Sequence, residues 1–218
     1  MLMVETWSKL FVRTPRFTVE RALFASGLTS LAGLDEAGRG AWAGPLVAGA
    51  ILLAPAELKS CRRLRRIVRD SKTLSERQRE RAYARLTAQL RWSVGIVSHA
   101  EVDRHGLTLA NQLAMERAVE ALPNVPAFLL VDGRGFCFTT ANRQIIDGDA
   151  TVFCIAAASI VAKVTRDRMM AVLHKQHPGY GFAAHKGYGT PGHLAALYRY
   201  GPCSIHRRTF KPISALPR

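Results

Sequence analysis

The sequence contains few cysteines, and their spacing does not follow a known pairing pattern. Its 218 residues include only Cys61, Cys137, Cys154 and Cys203, and no two of them form a C-x-x-C pair. This scatter argues against a zinc ribbon and against a disulfide framework, which need closely or regularly spaced cysteines. We therefore expect reduced thiols and a cytoplasmic protein.

Long apolar segments are also lacking. The longest candidate, residues 42–56, is interrupted by two glycines and two prolines and is shorter than the roughly 20 residues of a membrane-spanning helix. Residues 1–9 do not show a basic stretch followed by an apolar one, so they do not resemble a secretory signal. The sequence thus predicts no membrane association.

Acidic residues are scarce relative to basic ones. The chain has 16 Asp and Glu against 31 Lys and Arg, which gives a formal net charge of +15, and residues 57–91 alone hold 12 basic and 4 acidic side chains. Such an excess favours a polyanionic partner, with nucleic acid ahead of an anionic membrane. The alternative is a solvated arginine-rich helix face without a partner.

The apolar pattern predicts an α/β fold. Short apolar runs at residues 31–34 and 45–53 indicate two buried strands with a tight connection, and further strands are predicted at residues 92–98 and 127–131. Strands that alternate with helices favour a mixed sheet, which we place after an N-terminal extension, residues 1–30. Helices are predicted at residues 56–90 (two helices divided near residue 70, the second starting with a Ser75–Gln78 capping box), 108–122, 151–176 and 191–200.

Two of the predicted strands end in carboxylates. Asp35 and Glu36 follow the first apolar run, and Asp132 follows the run at residues 127–131. Burying a carboxylate is costly without a partner, so an Asp paired with Arg or Lys, or capping a turn, is one interpretation. The other is a site for Mg²⁺ or Mn²⁺, which prefer oxygen ligands, and two such ions about 3.5–4 Å apart can clamp a phosphodiester. Further candidate acids are Asp147, Asp149 and Asp167.

A glycine-rich segment follows the first acidic pair. Gly38 and Gly40 flank Arg39, and glycines in this pattern let the backbone approach a ligand, although a plain turn is the commoner explanation. The chain has no G-x-x-x-x-G-K-[ST] motif, so a nucleoside triphosphate is not indicated. An acidic pocket on a basic protein is typical of a metal-dependent nuclease or polymerase.

Several sequence blocks resemble those of one enzyme family. GLDEAGRG at residues 33–40, followed by AGPLV at residues 43–47, is similar to the opening signature of type 2 ribonuclease H, or ribonuclease HII. The resemblance spans about residues 31–210. The later blocks occur in the family's order, namely DSKTL (70–74), LVDG (130–133), AASIVAKVTRD (157–167), YGF (180–182), HKGYGT (185–190), GP (201–202) and HRRTF (206–210).

The resemblance implies a fold, an activity and a substrate. The fold would be a ribonuclease-H-like mixed sheet flanked by helices over residues 31–176, with a helical and loop segment, residues 177–218, that packs on this domain and contributes to substrate binding. The activity would be endonucleolytic hydrolysis of the RNA strand of RNA/DNA hybrids and cutting 5′ of single ribonucleotides in duplex DNA. The family uses Mg²⁺ or Mn²⁺, with two ions in the active complex, and gives 5′-phosphate and 3′-hydroxyl ends. We expect a monomer.

The resemblance also assigns roles to residues. The metal-binding catalytic acids would be Asp35, Glu36, Asp132 and Asp149, with Asp167 as an additional candidate that is otherwise a helix-surface partner of a neighbouring Arg. The substrate-binding residues would be Gly38, Arg39 and Gly40, which sense the ribose 2′-hydroxyl, Tyr188, which packs on the sugar, Ser71 and Lys72 near the phosphate backbone, and His185 and Lys186, which frame the site.

One position departs from the family pattern. Ala41 and Trp42 stand where the family usually has Pro followed by an aliphatic residue, so we expect a less rigid exit from the glycine segment unless Trp42 compensates by packing. Two other interpretations stay open. One is a different metal nuclease of the same architecture, such as a junction resolvase or type 1 ribonuclease H, and the other is a non-catalytic nucleic-acid-binding module.

Overall fold

A mixed sheet of five strands forms the centre of the computed structural model, which describes residues 14–68, 71 and 74–216. The strand order is β3-β2-β1-β4-β5. The first three strands along the chain pair antiparallel, whereas β4 and β5 run parallel to β1. The strands are β1 (Leu31–Ala37), β2 (Leu46–Leu53), β3 (Arg91–Val97), β4 (Leu129–Asp132) and β5 (Asn142–Ile145).

Helices cover both faces of this sheet. The longest, α6, packs on β1 and β2 from one side, and α4 packs on β2 and β3 from the other, so that two apolar cores lie back to back across the sheet. The helices are α1 (Thr18–Ala25), α2 (Glu57–Leu64), α3 (Glu76–Gln89), α4 (His99–Glu120), α5 (Gly148–Thr151), α6 (Phe153–Gln176), α7 (Phe182–His185) and α8 (Pro191–Tyr200), with short 3₁₀ turns at Pro178–Tyr180 and Ile213–Ala215.

Glycines on the strands allow the helices to approach the sheet closely. A Cβ atom on Gly49 would collide with the carbonyl oxygen of Ala158 in α6, and one on Gly95 would collide with the carbonyl oxygen of Ala114 in α4. These positions have ordinary strand conformations, so the space, and not the backbone angle, requires glycine there. The helix that carries many of the later site residues is therefore seated directly on the sheet backbone.

The predicted elements are largely present, with two informative differences. The capping box of Ser75 and Gln78 begins α3 as predicted. However, α4 begins at His99, after a second capping box at Ser98, and not near residue 108, because the left-handed Gly106 (φ 75°) kinks the helix and breaks its apolar pattern. The sequence also contains no apolar signal for the edge strand β5, because three of its four residues, Asn142–Ile145, are polar and none is fully buried.

Part of the predicted N-terminal extension packs on the sheet domain. Phe17 is buried against Phe153, with ring centroids 4.6 Å apart, and Arg16 pairs with Val152 in a short parallel bridge. Buried Glu20 accepts a hydrogen bond from the Cys154 amide at 3.0 Å, and burial raises the pKa of this carboxyl. Residues 16–20 thus cover the start of α6. The division of the chain into residues 1–30, 31–176 and 177–218 stays a prediction.

The C-terminal segment closes over the loop between β1 and β2. The Gly44 amide donates to the Ile205 carbonyl at 2.9 Å, and the Arg207 amide donates to the Trp42 carbonyl at 2.8 Å.

All four cysteines are free thiols, in agreement with the predicted absence of a disulfide framework. None of the helices in the described part of the chain combines the length and the apolar character needed to cross a bilayer.

Gly95→Ala tests the close approach of α4 to β3. We expect a loss of about 1–3 kcal/mol in the free energy of unfolding, the usual cost of forcing extra atoms into a packed core. The measurement is urea denaturation. Gly192→Ala is the control, because that glycine lies exposed in the first turn of α8, where a Cβ would meet only the Thr190 hydroxyl at 4.0 Å, and the change there should not destabilise the protein. Equal stability of Gly95→Ala and the unsubstituted protein would contradict the packing.

Candidate active site

A cleft of about 460 Å³ opens where β1 and β4 end. Because these two strands are parallel neighbours, their carboxyl ends lie at the same edge of the sheet. The loop after β1 forms one wall, and α6 forms the other. The lining residues are Asp35, Glu36, Ala37, Gly38, Arg39, Gly40, Ser71, Asp132, Ser159, Lys163 and Tyr188.

Asp35 is the buried centre of the predicted acidic group. It is only 5% exposed, and the pKa of its carboxyl lies well above the usual range, first because of burial and then because of Glu36, Asp132 and, more weakly, Asp149. A hydrogen bond with Ser159 acts in the opposite direction. The structure therefore brings the four predicted acids into electrostatic contact, and we call Asp35, Glu36, Asp132 and Asp149 the carboxylate cluster.

Backbone amides orient two members of the carboxylate cluster. The Glu36 amide donates to Asp35 Oδ1 at 2.7 Å, and the Gly148 amide donates to Asp132 Oδ1 at 2.6 Å. Gly148 can approach because a Cβ there would lie 3.2 Å from that carboxylate oxygen and closer still to Ile155. Asp149 follows in the first turn of α5 and is buried, whereas Asp147 adopts the left-handed conformation before the helix and is exposed.

The carboxylate cluster fits a divalent cation whose ligand shell is completed by other groups. Over residues 14–68, 71 and 74–216, no three carboxylate, imidazole or thiol groups form a ready ligand set for a metal ion. Mg²⁺, however, is usually held by one or two carboxylates and keeps several waters or substrate phosphate oxygens. A cation would also offset the repulsion between Asp35 and the neighbouring carboxylates. The oxygen donors of the carboxylate cluster therefore suit an Mg²⁺ or Mn²⁺ ion that also binds a phosphate.

Two buried arginines hold the loop between β1 and β2. The Arg166 guanidinium donates to the carbonyls of Pro45 (2.9 Å), Ala43 (3.2 Å) and Lys186 (2.9 Å). It also fills the space beside Gly38, where a Cβ atom would collide with it, and Gly38 has φ 92°. Burial lowers the pKa of this guanidinium, which nevertheless stays charged at neutral pH.

Arg207 holds the same loop from the C-terminal segment. Its guanidinium donates twice to the Gly44 carbonyl, at 3.0 and 3.2 Å, and once to the Arg39 carbonyl at 2.9 Å. Burial lowers its pKa to about 10. Both arginines lie inside blocks that resemble the family, AASIVAKVTRD and HRRTF, but the resemblance assigned neither of them a role. One signal was available for Arg166, because it lies in a helix, α6, that is otherwise rich in small and apolar residues.

Tyr188 connects the loop to α6. Its hydroxyl accepts a hydrogen bond from the Gly38 amide at 3.1 Å, and its ring centroid lies 5.1 Å from Arg166 Cζ and 5.5 Å from Lys163 Nζ. Lys163 in turn pairs with Asp167 Oδ1 at 2.8 Å. Asp167 thus has a lysine partner one helical turn away, and its charge also acts on the neighbouring Arg166 guanidinium.

The other predicted substrate residues fall into two groups. Buried Ser71 lines the cleft with its hydroxyl 2.9 Å from that of Ser159, and Arg39 extends into solvent with its side chain 59% exposed and 3.8 Å from Glu36. His185, by contrast, lies behind the cleft. Its Nε2 is 2.7 Å from the Tyr180 carbonyl, and its Nδ1 accepts from the Gly187 amide at 3.2 Å.

Lys186 and the departure from the family pattern lie beside this loop. Lys186 adopts a left-handed conformation (φ 51°), and its ammonium is 3.7 Å from Glu76. Trp42 packs its ring over Gly189 and lies 5.3 Å from the His193 ring, and its amide donates to the Gly187 carbonyl at 2.8 Å. Trp42 therefore packs at the exit of the glycine-rich segment. Lys72 lies outside the described residues.

Comparisons with known proteins agree with the resemblance. The family model described as Ribonuclease HII matches residues 32–213. A protein named Ribonuclease HII from Rhodococcus opacus is 49% identical over 201 residues, covering 91% of this chain and 87% of that protein. The crystal structure of ribonuclease H2 from Pyrococcus horikoshii OT3 has a TM-score of 0.72 at 29% identity, covering 85% of this chain and 96% of that chain. Bst ribonuclease HIII, solved in complex with Mn²⁺, shares the fold at 18% identity with a TM-score of 0.64, covering 88% and 71% of the two chains.

Asp35→Asn tests the repulsion within the carboxylate cluster. In the presence of a chelator we expect the variant to unfold at a higher temperature than the unsubstituted protein, because it removes a buried negative charge that three neighbours repel. The folded-state pKa of Asp35 is raised, so this difference should shrink as the pH is lowered towards about 4, where aspartate becomes protonated.

Addition of Mg²⁺ or Mn²⁺ should stabilise the unsubstituted protein more than Asp35→Asn and reduce or reverse the difference. Thermal unfolding monitored by circular dichroism is the measurement. Glu120→Gln, an exposed carboxylate at the end of α4, is the control and should not change the response to metal. If Asp35→Asn destabilised the protein in chelator as well, the repulsion would not be the dominant effect.

Proposed function

This chain belongs to the ribonuclease HII family and is a metal-dependent ribonuclease H, and we propose that it both hydrolyses the RNA strand of RNA/DNA hybrids and cuts 5′ of single ribonucleotides embedded in duplex DNA. The observation that carries this proposal is the burial of Asp35 among three further carboxylates at the end of two parallel strands. The surrounding chain has a net charge of +15, which suits a polyanionic substrate.

The carboxylate cluster would hold the metal. Asp35 and Asp132 lie on neighbouring strands, and the amides of Glu36 and Gly148 orient the two carboxylates that would bind the cation. Two bound Mg²⁺ or Mn²⁺ ions would supply the activation of a water and the stabilisation of the leaving 3′ oxygen, and the products would be 5′-phosphate and 3′-hydroxyl ends. Glu36 and Asp149 complete the proposed ligand set.

The loop after β1 would select the ribose. Gly38 and Gly40 carry no side chains beside Arg39, so a sugar could approach the backbone of this loop, which forms one wall of the cleft. Hydrogen bonding of backbone groups to the 2′-hydroxyl is what distinguishes RNA from DNA at a single position. The Gly38 amide is also bonded to the Tyr188 hydroxyl, so the loop and the tyrosine ring would contact adjacent sugars as one unit.

A substrate with one ribonucleotide separates this proposal from the alternatives of the same architecture. A type 1 ribonuclease H needs a longer RNA run, and a junction resolvase does not require a ribonucleotide. We therefore expect cleavage of a duplex with a single ribonucleotide and no cleavage of the same duplex made entirely of DNA. The monomeric state and the cytoplasmic location remain predictions.

Asp132→Asn tests the site directly. We expect the variant to fold as the unsubstituted protein does and to lose activity by about 10²-fold or more, because the change removes one charged ligand without changing the shape of the side chain. The measurement is cleavage of a labelled hybrid with Mg²⁺ or Mn²⁺, and Glu120→Gln is again the control. Near-normal cleavage by Asp132→Asn at ordinary metal concentration would remove Asp132 from the proposed ligand set.

Tyr188→Ala tests recognition of the sugar. We expect it to slow cutting at a single ribonucleotide by about tenfold or more, which corresponds to the loss of about 1–3 kcal/mol of aromatic stacking on the nucleic acid. Duplex binding should change much less, because phosphate contacts dominate the affinity. Tyr188→Phe is the matched variant, because it keeps the ring and removes only the hydroxyl that binds the Gly38 amide. A smaller loss in Tyr188→Phe than in Tyr188→Ala assigns the effect to the ring. Equal rates for all three proteins would make Tyr188 a structural residue only.

A further inference from the structure

A second cavity, far more basic than the active-site cleft, lies between α1 and α2. Its volume is about 380 Å³, and Phe17 and Thr18 at the start of α1 form part of its wall. The remaining lining residues all carry guanidinium groups, and we call this cavity the arginine pocket. They are Arg16, Arg21, Arg62, Arg65 and Arg66.

The positive charges of the arginine pocket are not neutralised within the described part of the chain, where no carboxylate forms an ion pair with any of the five arginines. The acidic residues on the same two helices are engaged elsewhere. Glu20 is buried and accepts from the Cys154 amide, and Glu57 pairs with Arg91 at 2.9 Å. Five like charges around one cavity repel each other, and an anion bound among them would relieve that repulsion.

The start of α1 adds a second feature that favours an anion. Thr18 is the first residue of this helix and lines the arginine pocket, and Phe17 before it provides no side-chain cap. The first amides of a helix lack intrahelical acceptors and carry partial positive charge, so they attract phosphate groups. The helix end and the guanidinium groups therefore favour the same class of ligand.

Two stretches of the chain connect the arginine pocket with the active-site cleft. Arg16 also lines a smaller cavity with Ala150 and Thr151, which directly follow Asp149 of the carboxylate cluster. On the other side, Arg66 is five residues before Ser71, which lines the cleft. Five residues reach at most about 18 Å, which is about half of one turn of a nucleic-acid duplex. A duplex bound in the cleft would therefore need to extend only about half a turn to reach the arginine pocket.

We propose that the arginine pocket is a second phosphate-binding site, which holds the sugar-phosphate backbone of the substrate duplex about half a helical turn from the cut. This inference rests on the proposed function, because it requires a duplex in the cleft. The contact would be independent of sequence and of the ribose, and it would add affinity for long substrates without acting on the reacting phosphate.

The test compares two variants that each remove three exposed positive charges. The pocket variant is Arg21→Ala/Arg62→Ala/Arg66→Ala, and the control variant is Lys59→Ala/Arg63→Ala/Arg81→Ala, whose residues lie on α2 and α3 outside the pocket lining. Binding is measured in chelator, where no cleavage occurs, with hybrid duplexes of about 30 and about 8 base pairs, that is, about three turns and less than one turn.

We expect the pocket variant to bind the long duplex about tenfold or more weakly than the control variant does, with the slope of log affinity against log salt reduced by about 2 to 3. On the short duplex the two variants should differ less, because most of its binding positions extend less than half a turn, about 5 base pairs, from the cleft towards the pocket. Equal losses by both variants on the long duplex, or an equal loss by the pocket variant on both lengths, would overturn the proposal. The substitution of glutamine at the same three pocket positions repeats the test if the alanine variant unfolds.

Failure of this inference is distinguishable from failure of the proposed function. Cleavage of the long hybrid by the unsubstituted protein with Mg²⁺ or Mn²⁺ tests the function and does not involve the pocket variants. If the protein cleaves and the two variants bind alike, only the arginine pocket proposal fails. If it binds with the expected difference between variants and does not cleave, the proposed function fails.

Discussion

The parallel pairing of β1 with β4 is the constraint on which the site depends. The register pairs Leu34 with Val131, so that Asp35 and Asp132 follow at the same edge of the sheet. Because side chains alternate between the two faces of a strand, a slip of one residue would turn one of these carboxylates away from the other. Apolar residues buried along both strands fix the register, and the carboxylates are thereby held together against their own repulsion.

Two buried arginines beside the site bind backbone carbonyls of the surrounding loops. Arg166 and Arg207 are completely buried, and the hydrogen bonds of their guanidinium groups go to carbonyl oxygens of residues 39–45 and 186. A guanidinium has five donors in a fixed plane, so one side chain can join several carbonyls that a lysine could not reach together. These bonds connect α6 and the C-terminal segment to the loop that would recognise the ribose.

Much of the sheet domain is predictable from local patterns, and what is missed has physical reasons. Buried strands and α6 have long apolar or small-residue runs, and the capping box at Ser75 identifies α3. The edge strand β5 lacks an apolar face, and Gly106 divides the pattern of α4, so neither gives a clear local signal. Asp35 and Asp132 were predictable because each follows an apolar strand, whereas Asp149 was assigned its role only through the family resemblance. The contacts of Arg166 and Arg207 with the loop between β1 and β2 have no local signal, because they join residues more than 100 positions apart.

Two neutral histidines of the C-terminal segment help to stabilise the loop between β1 and β2. His206 Nε2 lies 3.0 Å from His193 Nε2, and both are buried. Burial, together with the neighbouring His193, lowers the pKa of His206 to about 4, so at neutral pH one ring can donate and the other accept without a buried positive charge. His206 precedes Arg207 directly and its backbone pairs with Ala43. The imidazole pair therefore holds in place the backbone next to Arg207, whose side chain binds the loop. Because both rings are neutral, the pair adds no positive charge that would repel the Arg207 guanidinium.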